Sequence, residues 1–412
     1  MKRIFALALA AQVWAAHGHA QVLSERGFVD GRAFLFPQTT PTDTTRAVGD
    51  LLIREELFLK PTNWLQLAGG ADLRANSHDQ VDERWRLDWK DRRVLRPPLS
   101  LRRLTATVTL GPFAVDVGKQ FIRWGRADVT YPTDRFAPRD YITVIDPELL
   151  GVTGIRPSIQ IGSESFEAVW LPELTPSRLP LLEQRWTFLP SEAAALDIID
   201  RGSRIGSTPQ YGARWRHTGG RLESALSYFD GTNHLPNVNA VVDPVKSALE
   251  ILRVYPRIRM YGADAAIPTS EVTLKLEAAY VTSPPRATEE YLLYVVEAER
   301  QVGEWLLDAG YAGDVVTRRA PFTGEPFAPD RGLARALIAR AAYTIDPRRT
   351  MAIEGAIRQT GNGVYLRAEY SSAIGRYWRV TVSGVELNGE DDDFLGQYRR
   401  NSHAVVALRF SF

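Results

Sequence analysis

The dominant pattern along this chain has a period of two. In residues 403–412, Ala404, Val406, Leu408, Phe410 and Phe412 share one parity, and His403, Val405, Ala407, Arg409 and Ser411 share the other. The same alternation sets Val272, Leu274, Leu276, Ala278 and Tyr280 against Glu271, Thr273, Lys275, Glu277 and Ala279. It returns with Val364, Leu366, Ala368 and Tyr370 against Tyr365, Arg367, Glu369 and Ser371. Successive side chains of a strand point to opposite faces, so each segment predicts a strand with one apolar and one polar face. Many such segments are about ten residues long, the length a tilted strand needs to cross a bilayer; strands of soluble sandwiches centre on about five or six. Unpaired edges cannot sit in hydrocarbon, so the sheet must close on itself.

The connections give an independent test. Tight turns are expected at Pro61-Thr62-Asn63, Gly111-Pro112, Gly162-Ser163, Gly219-Gly220, Pro268-Thr269-Ser270, 301–303, Asp346-Pro347 and Gly375. They alternate with longer connections at 38–46, 76–97, 123–154, 173–207, 231–254, 284–288, 317–332 and 389–402, and with a short one at Gly361-Asn362-Gly363. Outer-membrane barrels have short periplasmic turns and long extracellular loops. The expected fold is therefore all-β: a transmembrane antiparallel up-and-down β-barrel of about 18 strands (~16–20), both ends periplasmic. Parity puts 82–90, where Trp85, Leu87 and Trp89 alternate, in an external loop or a strand extension above the membrane. Two loops carry helix signals. Ser191 would cap a short helix running to Gly202, and Asp243-Pro244 would open another through Ala248 and Leu252.

The chain starts with Lys2 and Arg3, an apolar run at 4–16, and small residues Gly18 and Ala20. This three-part pattern predicts a secretory leader, 1–20, cleaved after Ala20, and a barrel domain over 21–412. The last strand ends in Phe412 and resembles the terminal signal that bacterial outer-membrane barrels present to their insertion machinery. Tyr211, Trp215, Tyr228, Tyr280, Tyr294, Trp305 and Trp378 fall on predicted lipid faces, as interfacial aromatic girdles require.

Composition narrows the functions. A 44% hydrophobic content excludes low-complexity disorder. The absence of Cys excludes a disulfide scaffold, a zinc finger or a Cys nucleophile. A net charge of +1 gives no reason to expect nucleic acid as a partner. Beyond the leader, His78, His217, His234 and His403 show no metal-ligand spacing, and no nucleophile elbow, phosphate loop or dinucleotide fingerprint occurs. No catalytic residue, metal or cofactor is expected. Asp391-Asp392-Asp393 reads as a solvated acidic run rather than a weak Ca²⁺ site.

The polar face carries the remaining signal. Lys occurs only at 2, 60, 90, 119, 246 and 275, so Arg supplies nearly all of the 50 basic residues. Inward positions include Arg54, Glu56, Asp72, Arg74, Glu167, Lys275, Glu277, Glu354, Arg358, Arg367 and Glu369, and Arg214, Arg216, Arg257 and Arg259 are expected to form a basic stripe. Such a wall either guides anionic solutes or neutralises itself in Arg–carboxylate pairs. Glu55 is the one charge on the expected lipid face.

The most distinctive segment is 116–141. A strand with Asp116, Gly118 and Gln120 inward leads into Trp124-Gly125 and a loop bearing Arg126, Asp128, Asp134, Arg135, Arg139 and Asp140. Through Gly118, Lys119, Gln120, Trp124 and Gly125 it resembles bacterial outer-membrane porin-like barrels, most closely the alginate-export type. The resemblance implies a monomeric barrel with loop residues narrowing a charged channel. The expected function is thus a pore or exporter in Gram-negative outer-membrane lipid, passing a small polar or anionic solute or a polysaccharide. A non-conducting scaffold of a surface-polymer or secretion system is the alternative, and a barrel lipid hydrolase a third reading.

Overall fold

A computed structural model describes residues 22–128, 130–187, 196–283, 287–319 and 325–412. The expected leader and the Ser191 capping position lie outside these residues. Eighteen long strands form the wall. They are β1 (Val22–Leu35), β2 (Ala47–Thr62), β3 (Leu65–Asn76), β4 (Leu99–Leu110), β5 (Phe113–Gln120) and β6 (Val152–Ile161). Next come β7 (Glu164–Leu171), β8 (Gln210–His217), β9 (Glu223–Thr232), β10 (Arg257–Pro268), β11 (Thr273–Thr282) and β12 (Glu290–Val302). The last six are β13 (Trp305–Arg318), β14 (Ala336–Asp346), β15 (Arg349–Arg358), β16 (Val364–Ile374), β17 (Trp378–Asn388) and β18 (His403–Ser411).

Each strand pairs antiparallel with its sequence neighbour. The sheet closes where β1 meets β18, in register from Phe28↔Ser411 to Leu35↔Ala404. Closure leaves no open sheet edge in the membrane. The fold is an eighteen-stranded antiparallel β-barrel. The expected tight turns and long loops alternate as predicted. The outward parity carries exposed Leu337, Ile353, Leu366, Tyr370, Val382 and Leu408, an apolar surface suited to lipid. Glu55 does face outward, but it pairs with Gly27 at the level of the chain end, where the Gly27 amide donates to the Phe412 carbonyl. It therefore belongs to the periplasmic rim, not to mid-membrane.

Three expectations need correction. The segment expected to be helical after Asp243 is a hairpin of strands Asn237–Asp243 and Ala248–Val254, reversing through Ser247 at a φ of 51°. Val238, Val241 and Val242 favour that strand, and the turn signal at Asp243-Pro244 closes the hairpin instead of opening a helix. Ile198 and Ile199 lie in a strand, Asp197–Arg204, that pairs parallel with Ala248–Val254. The acidic run is not simply solvated: Asp393 is buried and accepts from Arg358 Nε at 2.6 Å. Segment 82–90 holds a two-residue strand, Leu87–Asp88, added parallel to the top of β4, in line with the strand-extension reading.

Candidate functional site

The connection 121–151 between β5 and β6 does not extend away from the barrel; it folds into it. Gly118 opens this path with a φ of +119°, and a Cβ there would lie 2.2 Å from the Leu104 carbonyl oxygen. Only glycine tolerates that geometry. Lys119 is then buried under the neighbouring loop, its Nζ donating to the Trp89 carbonyl at 2.7 Å and to Asp91 at 2.6 Å. Gln120 is also buried and donates to the Gly154 carbonyl at 3.3 Å.

Past Gln120 the loop docks on the inner wall of β6 to β12. Ile122, Trp124 and Phe136 join Val169, Phe229 and Met260 in a dry cluster inside the barrel. The Phe136 ring meets Trp124 edge-on at 5.0 Å and Phe229 at 4.9 Å. Gly212 on β8 makes room: a Cβ there would fall 2.4 Å from Phe136 Cε2 and 2.6 Å from Trp124 Cη2. Burying side chains of this size stabilises the docked loop by about 1.5–3 kcal/mol each.

Wall carboxylates then hold the loop backbone. Glu277, 2% exposed on β11, accepts from the amides of Arg126 (2.7 Å) and Ala127 (3.0 Å) through Oε2. Its Oε1 accepts from the amide and hydroxyl of Thr133, both at 2.8 Å. Glu297 accepts from the Asp128 amide at 3.0 Å. A carboxylate ringed by donors in this way acts as an anchor for an otherwise irregular loop.

The loop residues singled out in the sequence are brought together, but chiefly as anchors. Arg126 donates to Asp264 at 2.8 Å and Glu223 at 2.7 Å. Asp134 caps the Trp124 and Gly125 amides, both at 2.6 Å, and Arg135 meets Asp330 at 3.1 Å. Arg139 lies over the Tyr131 ring at 4.7 Å. Asp140 is held by Arg96 at 2.8 Å and Arg178 at 2.5 Å. Burial alone would raise its carboxyl, but those two guanidiniums hold it well below the usual carboxylate range. Asp128 pairs with Lys275, whose Nζ also meets Glu299 at 2.7 Å. Asp128, Glu299 and Asp308 cluster closely enough to hold a cation, yet the Lys275 ammonium already occupies the centre of that charge. Ser177 and buried His234 are 2.8 Å apart. Burial, with Arg135 nearby, pushes this imidazole down to about 3. Ser177 also accepts from the Arg139 amide at 2.9 Å, so the pair ties three loops together.

The expected basic stripe does not form. Arg214 and Arg216 face inward on β8, and Arg214 is neutralised by Asp264 at 2.6 Å. Arg257 and Arg259 face outward. They alternate with Ile258 and Met260, both fully buried, and pair with Asp230 on β9. The docked loop gives this part of the barrel an apolar interior, so apolar parity no longer marks the lipid side.

With β6 to β12 covered, open space remains along β14 to β18 and β1. One cavity of about 350 Å³ lies between the loop and Arg340, Glu354, Tyr365 and Arg367. A second of about 230 Å³ lies beside Asp30, Arg32, Glu369, Arg379 and Arg409. Ile145, Asp146 and Arg367 border both, so the two spaces adjoin at the C-terminal part of the loop. Asp30 is buried and binds Arg32 at 3.0 Å and Arg409 at 2.9 Å. Among the described residues Arg379 reaches the Ser371 hydroxyl, at 3.1 Å, and no carboxylate. Arg32, Arg379 and Arg409 are not among the site residues expected from the sequence. Inward parity on the strands flanking the seam was the available signal.

No protein-family model and no curated protein sequence matches the chain. Solved structures do match in fold. A BenF-like porin from Pseudomonas fluorescens Pf-5 is 10% identical, with a TM-score of 0.54 over 95% of this chain and 98% of that one. OccAB4 from Acinetobacter baumannii is 10% identical, with a TM-score of 0.56 over 95% and 98%. The outer membrane protein opdK from Pseudomonas aeruginosa is 10% identical, with a TM-score of 0.51 over 94% and 98%. The architecture of this chain is that of outer-membrane porins.

Proposed function

We propose that the protein is a passive outer-membrane channel for small polar solutes, which pass beside the docked loop along the β14 to β18 and β1 wall. The cavities that adjoin at Ile145, Asp146 and Arg367 carry this reading, because they give a polar route on the side the loop leaves uncovered. Structures of the same fold are described as a porin and an outer membrane protein, which supports the location and passive transport. Within the smaller cavity, four arginines (32, 367, 379 and 409) face three carboxylates (Asp30, Asp146 and Glu369). Arg379 has no carboxylate partner among the described residues, so a solute bearing a carboxylate or another anion is the favoured cargo. Polysaccharide export of the alginate type is less favoured, because a loop fixed by apolar burial and wall carboxylates leaves spaces sized for small molecules. Cleavage of a leader after Ala20 and delivery to the insertion machinery through Phe412 complete the proposal.

Planar-bilayer recording tests it. We expect discrete conductance steps and a reversal potential showing weak anion preference in a salt gradient. A folded, inserted barrel that carries no current would refute the channel and favour the scaffold alternative.

A further inference from the structure

The outward positions of Arg257 and Arg259 leave two guanidiniums on a surface that elsewhere meets lipid. Their placement is specific. Tyr228, Tyr261 and Tyr280 stand opposite one another on β9, β10 and β11, and the Tyr228 and Tyr261 rings are 5.4 Å apart. Rows of this kind sit at the membrane–water interface. Arg259 lies two residues and Arg257 four residues toward the long loop 233–256, on the extracellular side. At about 3.3 Å per residue on a tilted strand, Arg259 stands roughly 5 Å above the tyrosine row, at headgroup level.

The two side chains are also held in place. Asp230, on the same outer face of β9, accepts Arg257 Nε at 3.0 Å and Nη2 at 2.7 Å through Oδ1. Its Oδ2 accepts Arg259 Nε at 3.1 Å. One carboxylate thus fixes two guanidiniums and leaves a net positive charge, while both Nη atoms of Arg259 and Nη1 of Arg257 carry no bond to the protein among those described. Such a charge is costly against acyl chains but favourable against a phosphate, which accepts from paired guanidinium N–H groups.

We infer that Arg257, Arg259 and Asp230 form a binding site for the phosphate of lipid A in the outer leaflet, with Tyr228 and Tyr261 packing beneath it. This rests on the outer-membrane reading above. It assigns the two arginines to lipid recognition instead of solute passage.

The test uses the full-length barrel in detergent and native mass spectrometry, with bis-phosphorylated lipid A, monophosphoryl lipid A and phosphatidylglycerol as separate probes. Wild type should retain bis-phosphorylated lipid A most strongly. R257Q/R259Q should weaken retention about fivefold per arginine removed, roughly twenty-five-fold together. R259Q alone, with its single bond to Asp230, should show the smaller loss even if the double variant folds poorly. Conductance and reversal potential should not change, which separates this site from the channel. Equal retention of lipid A by wild type and both variants, with normal conductance, would overturn the site alone. Retention of phosphatidylglycerol equal to that of lipid A would also overturn it. A wild-type barrel that never conducts would instead count against the channel reading.

Discussion

Glu277→Gln is the most informative single change for the docked loop. The carboxylate accepts four hydrogen bonds, two on each oxygen, and is nearly solvent-free. Glutamine keeps one acceptor oxygen and puts an amide NH₂ where the other was. If the oxygen stays with Thr133, the NH₂ faces the amides of Arg126 and Ala127, so two charge-assisted bonds become donor–donor contacts. At about 1.5–3 kcal/mol for each bond to a charged acceptor, the loss is roughly 3–6 kcal/mol of docking free energy. That lowers the ratio of docked to undocked loop by about two to four powers of ten. The barrel itself should survive, because the backbone ladder of β11 is untouched. Single-channel recording should show a larger and noisier conductance than wild type, with excursions between docked and undocked levels. Trypsin should also cut at Arg126 or Arg135 in the variant but not in wild type. Conductance, noise and protease resistance all identical to wild type would refute the anchoring role.

Other consequences can be checked directly. Arg379→Glu should move the reversal potential toward cation preference, because it reverses the arginine of the smaller cavity that has no carboxylate partner among the described residues; R257E/R259E should leave it unmoved, and the opposite pattern would reject the assigned faces. Phe136→Ala should cost about 3–5 kcal/mol of loop docking, read as raised open-channel noise; wild-type noise would show that the aromatic cluster does not hold the loop. Asp140 has a folded-state carboxyl held below its ordinary value of 3.8. Its contribution is therefore complete above pH ~4 and lost as pH falls through the depressed value. Thermal unfolding should accordingly show an Asp140-dependent decline only in that acid range, and D140N should remove it; an equal decline in D140N would assign it to other groups.

The sequence alone determined the architecture. Lipid outside and water inside impose alternate parities on most of the spanning strands, so period, segment length and turn spacing were enough to read about eighteen strands and their order. Trp124, Asp134 and Asp140 were also legible as a distinctive loop, because an ordinary surface connection has no need of such a charged and aromatic run. Which way that loop turned was decided only by tertiary structure. Once Ile122, Trp124 and Phe136 packed inside, Ile258 and Met260 turned toward a dry interior and Arg257 and Arg259 toward the outer surface. The two sides of β10 cannot be told apart by hydrophobicity when both neighbours exclude water. Glu277 was readable as an inward charge, but its four donors come from a loop more than a hundred residues away in the chain. The cavity bordered by Asp146 and Arg379 is volume the loop leaves free, and a volume of that kind exists only after the chain has folded.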